Sequence, residues 1–176
     1  MRKLLILLLI QILTIATLFS FSMKSDIAFY AGLESVHDNR EVGNIPLKSA
    51  ATAEINCRVF NLDFGSFSFG PSISAKMTSP TTTFGNTRIL GYSGFSFALN
   101  GSYQINDSLS LSLEAGTGVG AYNSQIAYAS IDGAIRADYE LENAKLSAKT
   151  GLSYKRETIS IICQIGIVID FYNKEI

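Results

Sequence analysis

Tryptophan is absent from the chain, and histidine, cysteine and proline are scarce: one, two and three among 176 residues. With His37 as the only imidazole, a metal centre built from several histidines is excluded. So few prolines leave almost every backbone N–H free to join a ladder, which permits long strands. A basic excess is also missing. Fourteen Lys and Arg face fifteen Asp and Glu, and Arg2 and Lys3 belong to the N-terminal segment, so no nucleic-acid partner is expected. After residue 22 no stretch approaches the ~20 consecutive apolar residues of a membrane helix. Any membrane span beyond that point must be made of strands.

The N-terminus has a layout of its own. Arg2 and Lys3 precede the apolar run Leu4–Phe19, interrupted by Gln11, and Ser20 and Ser22 set small residues at the −3 and −1 sites of a cut after Ser22. This is the pattern of a secretory signal peptide. Residues 1–22 are expected to be removed on export, leaving 23–176 as one domain. No cysteine follows the run closely, so a lipoprotein cut is not expected.

From Asp26 onward apolar and polar residues alternate with period two, the mark of strands with two unlike faces. Eight runs are predicted as strands: Ile27–Val36, Ala50–Phe60, Ser66–Met77, Tyr92–Ile105, Ser108–Ala121, Ala127–Leu141, Lys145–Lys155 and Ile159–Tyr172. One face carries no charge. It holds, for example, Ile27, Phe29, Ala31 and Leu33 on the first run, Leu109, Leu111 and Leu113 on the fifth, and Ile159, Ile161, Cys163, Ile165, Ile167 and Ile169 on the eighth. The other face carries Glu34, Glu54, Arg58, Lys76, Glu114, Asp132, Arg136, Asp138, Glu140, Lys149 and Asp170 among serines, with Tyr30, Ile162 and Val168 its chief bulky apolar residues.

A soluble barrel would turn the apolar face inward; a membrane barrel turns it to lipid and fills its lumen with polar groups. Three features favour the second. Most runs have ten or more residues, against ~9–11 needed to cross a bilayer at a tilt and a mode of ~5–6 in soluble sheets. Connections after the second, fourth and sixth runs are short, whereas His37–Ser49 and Thr78–Gly91 are long and those after the fifth and seventh moderate, the asymmetry of periplasmic turns and external loops. Phe29, Phe67, Phe69, Tyr103, Tyr139 and Phe171 lie on the apolar face toward the periplasmic end, like an interfacial girdle.

The export signal, the eight alternating runs and the polar lumen together resemble the small outer-membrane barrels typified by outer-membrane protein X and the N-terminal barrel of outer-membrane protein A. The final run, Ile159 to Phe171, is similar to their C-terminal assembly signal, although Asn173–Ile176 follow the aromatic pair. The expected fold class is therefore all-β: an eight-stranded, antiparallel, up-and-down transmembrane barrel in the outer membrane, monomeric, with outer-membrane lipid around it.

Eight strands enclose room for side chains only, and buried charges are tolerated when paired. Glu34, Glu54, Arg58, Lys76, Glu114, Asp132, Arg136, Asp138, Lys149 and Asp170 are expected to form a lumen charge network, with inward glycines such as Gly94, Gly116 and Gly166 making space. No catalytic, cofactor or metal site is assigned. The external loops are the place for a surface ligand or protein, which makes a non-enzymatic structural or surface-interaction role the first reading. The alternatives are a lipid-modifying enzyme using His37 and Asp38, and a soluble periplasmic ligand-binding barrel. Pro71 predicts a bulge or strand start nearby. Cys57 and Cys163 are expected to be unbridged. The first strand separates them, placing them at least ~9.6 Å apart, beyond the ~7 Å reach of a disulfide.

Overall fold

The computed structural model describes residues 22–38, 48–79, 81–82, 88–89, 91–122, 126–155 and 158–175. Residues 1–21 of the expected signal peptide lie outside these residues, as do most of the first two external loops, whereas Ser22 already belongs to β1. The described strands are β1 (Ser22–Asp38), β2 (Lys48–Phe64), β3 (Phe67–Thr78), β4 (Thr81–Thr82), β5 (Arg88–Ile89), β6 (Tyr92–Asn106), β7 (Leu109–Tyr122), β8 (Ile126–Glu140), β9 (Lys145–Lys155) and β10 (Thr158–Glu175). Eight of them close into one antiparallel barrel in the order β1-β10-β9-β8-β7-β6-β3-β2, and β4 and β5 form a separate two-stranded ribbon. Closure of β10 on β1 removes the free edges that an open sheet would present.

The register fixes the geometry. Followed perpendicular to the strands, the row from Asp26 passes through Arg58, Ser72, Ala98, Gly116, Asp132, Ser153 and Ser160 and meets β1 again at Val36, ten residues further on. A stagger of ten over eight strands tilts them by about 41° to the barrel axis. Because the stagger is even, the pleat returns to β1 in phase, and one face points inward all the way round.

That face is the polar one. Arg136 has none of its surface exposed, whereas Ile165 on the opposite face is 70% exposed. Fully buried side chains include Arg136, Lys155, Glu34, Asn56, Asn100 and several serines, while Leu113, Val119, Ile131, Leu152 and Phe95 stand exposed. A water-soluble fold buries its apolar residues and leaves charges outside; this barrel does the reverse. The soluble-barrel reading is therefore corrected: the belt is a lipid-facing surface.

The strands outrun several of the sequence boundaries. β1 begins five residues before Ile27, and β2 runs on to Phe64. The extension depends on two register shifts, one beside Ser25 and one between Arg58 and Leu62 of β2, opposite Gly70 and Pro71. The second is the irregularity that Pro71 calls for. It brings Asn61 inward and leaves both Val59 and Phe60 exposed. The two moderate external loops shrink to residues 123–125 and 156–157, so the loop asymmetry rests on 39–47 and 79–91. At the opposite end Gly65 turns the β2–β3 hairpin with φ +69°, the left-handed conformation that favours glycine. Phe67, Phe69, Tyr103, Tyr139 and Phe171 are exposed toward that end, joined by Phe60 and Phe64, while Phe29 sits higher, paired with Ile55 and Ile167. Cys57 and Cys163 are both free. They pair with Ile27 and Leu33, six positions apart on β1, a separation of ~20 Å along the strand.

Candidate functional site

The lumen is the one place where the described residues concentrate charge, and the tilt sorts that charge into three tiers. Alternation places each group inward; register decides which groups meet.

The outer tier centres on Glu34 of β1. Lys155 Nζ donates to its Oε1 at 2.6 Å, Thr78 Oγ1 donates to Oε2 at 3.1 Å, and the Tyr92 hydroxyl donates to the same oxygen. The Lys155 ammonium lies 3.8 Å from the centre of the Tyr92 ring, within cation–π range. Tyr128 meets Tyr92 edge to face at 5.6 Å between centroids. Gly94 and Gly120 make this packing possible. A methyl built on either would stand 2.6 or 2.5 Å from the Tyr128 hydroxyl oxygen, so only glycine lets the ring cross there.

In the middle tier Lys149 joins two strands' carboxylates, Glu54 at 2.8 Å and Glu114 at 2.9 Å. Arg136 reaches Glu114 at 3.3 Å and turns its other terminal nitrogen to Asp138 at 3.0 Å. Tyr30 lies beneath Lys149, whose ammonium is 5.3 Å from the ring centre, and shares a 3.1 Å hydrogen bond with Ser147. The inner tier pairs Arg58 with Asp26, Nε donating to Oδ1 at 2.8 Å, while Ser147 Oγ donates to Asp138 at 2.6 Å. Below this tier the lumen opens into a polar vestibule of about 370 Å³ at the periplasmic end, bordered by Lys145, Asp170, Glu140, Lys24 and Asp63.

Of the network residues read from sequence, Glu54, Glu114, Lys149, Arg136, Asp138, Arg58 and Glu34 meet in these tiers. Three are placed otherwise. Lys76 has no ion pair among the described residues; its ammonium lies 5.6 Å from the Tyr92 ring centre. Asp132 is held by hydroxyls, accepting from Ser130 at 2.8 Å and from Ser153. Asp170 sits at the vestibule rim, 40% exposed and 2.9 Å from Lys145. Sequence reasoning passed over Asp26, Lys155, Tyr92 and Tyr128. The first three stand at or just beyond the ends of runs, where alternation assigns a face least securely. Tyr128 lies inside its run, two residues before Ser130 on the same face, so period two could have found it. The side chain of His37, on which the enzyme alternative depends, lies outside the described residues, as does that of Asp38.

No protein-family model matches the chain, and no curated protein matches it by sequence. Solved structures do match. The attachment invasion locus protein Ail of Yersinia pestis superposes with TM-score 0.57 at 14% identity, over 87% of this chain and 100% of Ail. Neisserial surface protein A superposes with TM-score 0.57 at 10% identity, over 84% of this chain and 97% of that one. The chain has the fold of the small outer-membrane β-barrels. Identity this low carries the architecture alone, so the residues of the lumen and loops have to be read from this chain itself.

Proposed function

We propose that the protein is a non-enzymatic outer-membrane barrel. In this reading its first 22 residues serve export, its lumen is closed by its own charges, and its external loops carry whatever contact it makes at the cell surface. The carrying observation is the pairing inside the lumen. Glu34, Glu54, Glu114, Asp26, Asp132 and Asp138 each hold a cation or hydroxyl partner. Those partners span the lumen from wall to wall, as Lys149 does between β2 and β7. Carboxylates tied in this way are poor general bases, and the interior of an eight-stranded barrel leaves no pore once such side chains fill it. The segments 39–47 and 79–91, with the β4–β5 ribbon within the second, connect strands of a closed barrel, and loops between such strands are where recognition is carried. Ail has been crystallised in complex with the heparin analogue sucrose octasulfate. That finding belongs to Ail, and it supports the view that a barrel of this fold can be a binding protein.

Reconstitution into planar bilayers tests the closed lumen. The mature protein is expected to give no stable single-channel steps, and regular porin-like conductance would overturn the reading.

A further inference from the structure

We propose that the lumen holds a short chain of ordered waters along the β2–β3–β6 wall, reached from the periplasmic vestibule and closed at the outer tier. This goes beyond the pairing of charges, because it concerns the polar groups that pairing leaves over. Among the described residues Asn56 Oδ1, Ser72 Oγ and Asn100 Oδ1 have no hydrogen-bond partner although each residue is only 1% exposed, and Arg136 Nε on β8 and the Gln164 side-chain amide on β10 have none either. The three wall residues occupy neighbouring inward positions on adjacent strands: Asn56 is in register with Ser74, Ser72 with Arg58, and Asn100 with Gly70. Buried polar groups in folded proteins are nearly always satisfied by protein or by ordered water.

Room for that water is present. Asn56, Ser74, Ser96, Lys76 and Glu114 line a cavity of about 40 Å³, enough for roughly three or four waters at ~10–15 Å³ of accessible volume each. Lys76 requires it independently. Its ammonium acts on Glu34 from a distance, and with no carboxylate in ion-pair contact among the described residues it keeps part of its hydration. Ser72 and Asn100 lie between this chamber and the vestibule, whose upper wall includes Arg58, Ser102 and Asp138. Arg136 Nε–H can donate to a water that in turn donates to an asparagine oxygen, with Ser72 as relay. On the outer side the Tyr92–Glu34–Lys155 cluster interlocks, so water is exchanged with the periplasm only.

Two measurements test this. In refolded, 15N-labelled protein in micelles, water cross-relaxation is expected at the Asn56 and Asn100 side-chain amides and at Arg136 Nε–H. Its absence at all three overturns the site. For the route, Ser74→Cys is placed in a Cys57→Ala/Cys163→Ala background and oriented in liposomes. Silver ion is expected to consume the thiol when applied at the periplasmic end and to leave it intact from the outer end. Equal reaction from both ends, or none from the periplasmic end, overturns the one-sided route. The cross-relaxation arm uses the unmodified chain and stands even where the cysteine variant does not fold.

Discussion

Replacing Arg136 is the sharpest probe of the lumen. Its guanidinium has no exposed surface and pairs with Glu114 at 3.3 Å and Asp138 at 3.0 Å. Arg136→Met keeps much of the apolar stem and removes the charge. Removing one member of a buried pair costs about 3–5 kcal/mol, because the partner is left buried and uncompensated. Here Glu114 keeps Lys149 at 2.9 Å and Asp138 keeps the Ser147 hydroxyl at 2.6 Å, which puts the expected loss near the lower end, about 3 kcal/mol. The same logic says that neutralising the stranded carboxylates restores stability. The triple variant Arg136→Met/Glu114→Gln/Asp138→Asn is expected to regain more than half of the loss, since well-packed neutral replacements of buried ion pairs are often neutral or stabilising. Urea titration in lipid vesicles measures both, followed by far-UV circular dichroism and by the gel mobility of the folded barrel, as the chain has no tryptophan to report. A loss below about 1 kcal/mol for Arg136→Met would mean that the pair behaves like one in open water and that the lumen is not closed. Failure of the triple variant to recover would refute the charge-pairing argument itself.

The remaining predictions address the belt, the packing and the thiols. Ile135 and Leu113 face each other across β8 and β7 on the exposed side. Ile135→Lys or Leu113→Lys is expected to cost about 2–4 kcal/mol in vesicle unfolding, while Asp107→Lys in the β6–β7 turn should change little; equal tolerance would reverse the orientation of the barrel wall. A methyl on Gly166 would run into the Phe29 carbonyl oxygen and come 2.5 Å from the Tyr30 ring, so Gly166→Ala is expected to lose about 1–3 kcal/mol through overpacking, and a neutral result in the same titration would show that both the β1 backbone and Tyr30 give way. Thiol labelling of unreduced protein in denaturant is expected to count two free cysteines, and an intramolecular bridge would contradict the strand order.

The architecture was legible because a membrane barrel imposes the simplest of patterns on its chain. Lipid on one side and packed polar groups on the other force a two-residue period over ten or more residues, and Lys145–Lys155 stands in the structure with the bounds that this period predicts. Boundaries failed where the period breaks. At Phe171, opposite Ser25 and Asp26, and between Arg58 and Leu62 an extra residue shifts the phase, so alternation stops short of the real strand end. The second shift hid the inward turn of Asn61, whereas Asp26 keeps the phase of Ala28 and Tyr30 and could have been found by alternation. Pro71 was the only local mark of the second shift; the first has none.

The charge tiers are a different kind of information. Which face a residue takes is local, but which partner it meets depends on the stagger accumulated around the closed sheet. Lys149 reaches Glu54 on the far wall and Glu114 two strands away in sequence order, and neither pairing follows from spacing along the chain. Lys155 and Glu34 meet only because β9 and β1 are both neighbours of β10. The same stagger explains why Lys76, opposite Glu54 in the β2–β3 register, makes no ion pair among the described residues: Lys149, coming from across the lumen, occupies Glu54 instead. A two-residue slip between any pair of strands would keep the apolar belt outward and exchange these partners. The barrel itself is therefore written in the alternation, and the identity of its plug in the register of the closed sheet.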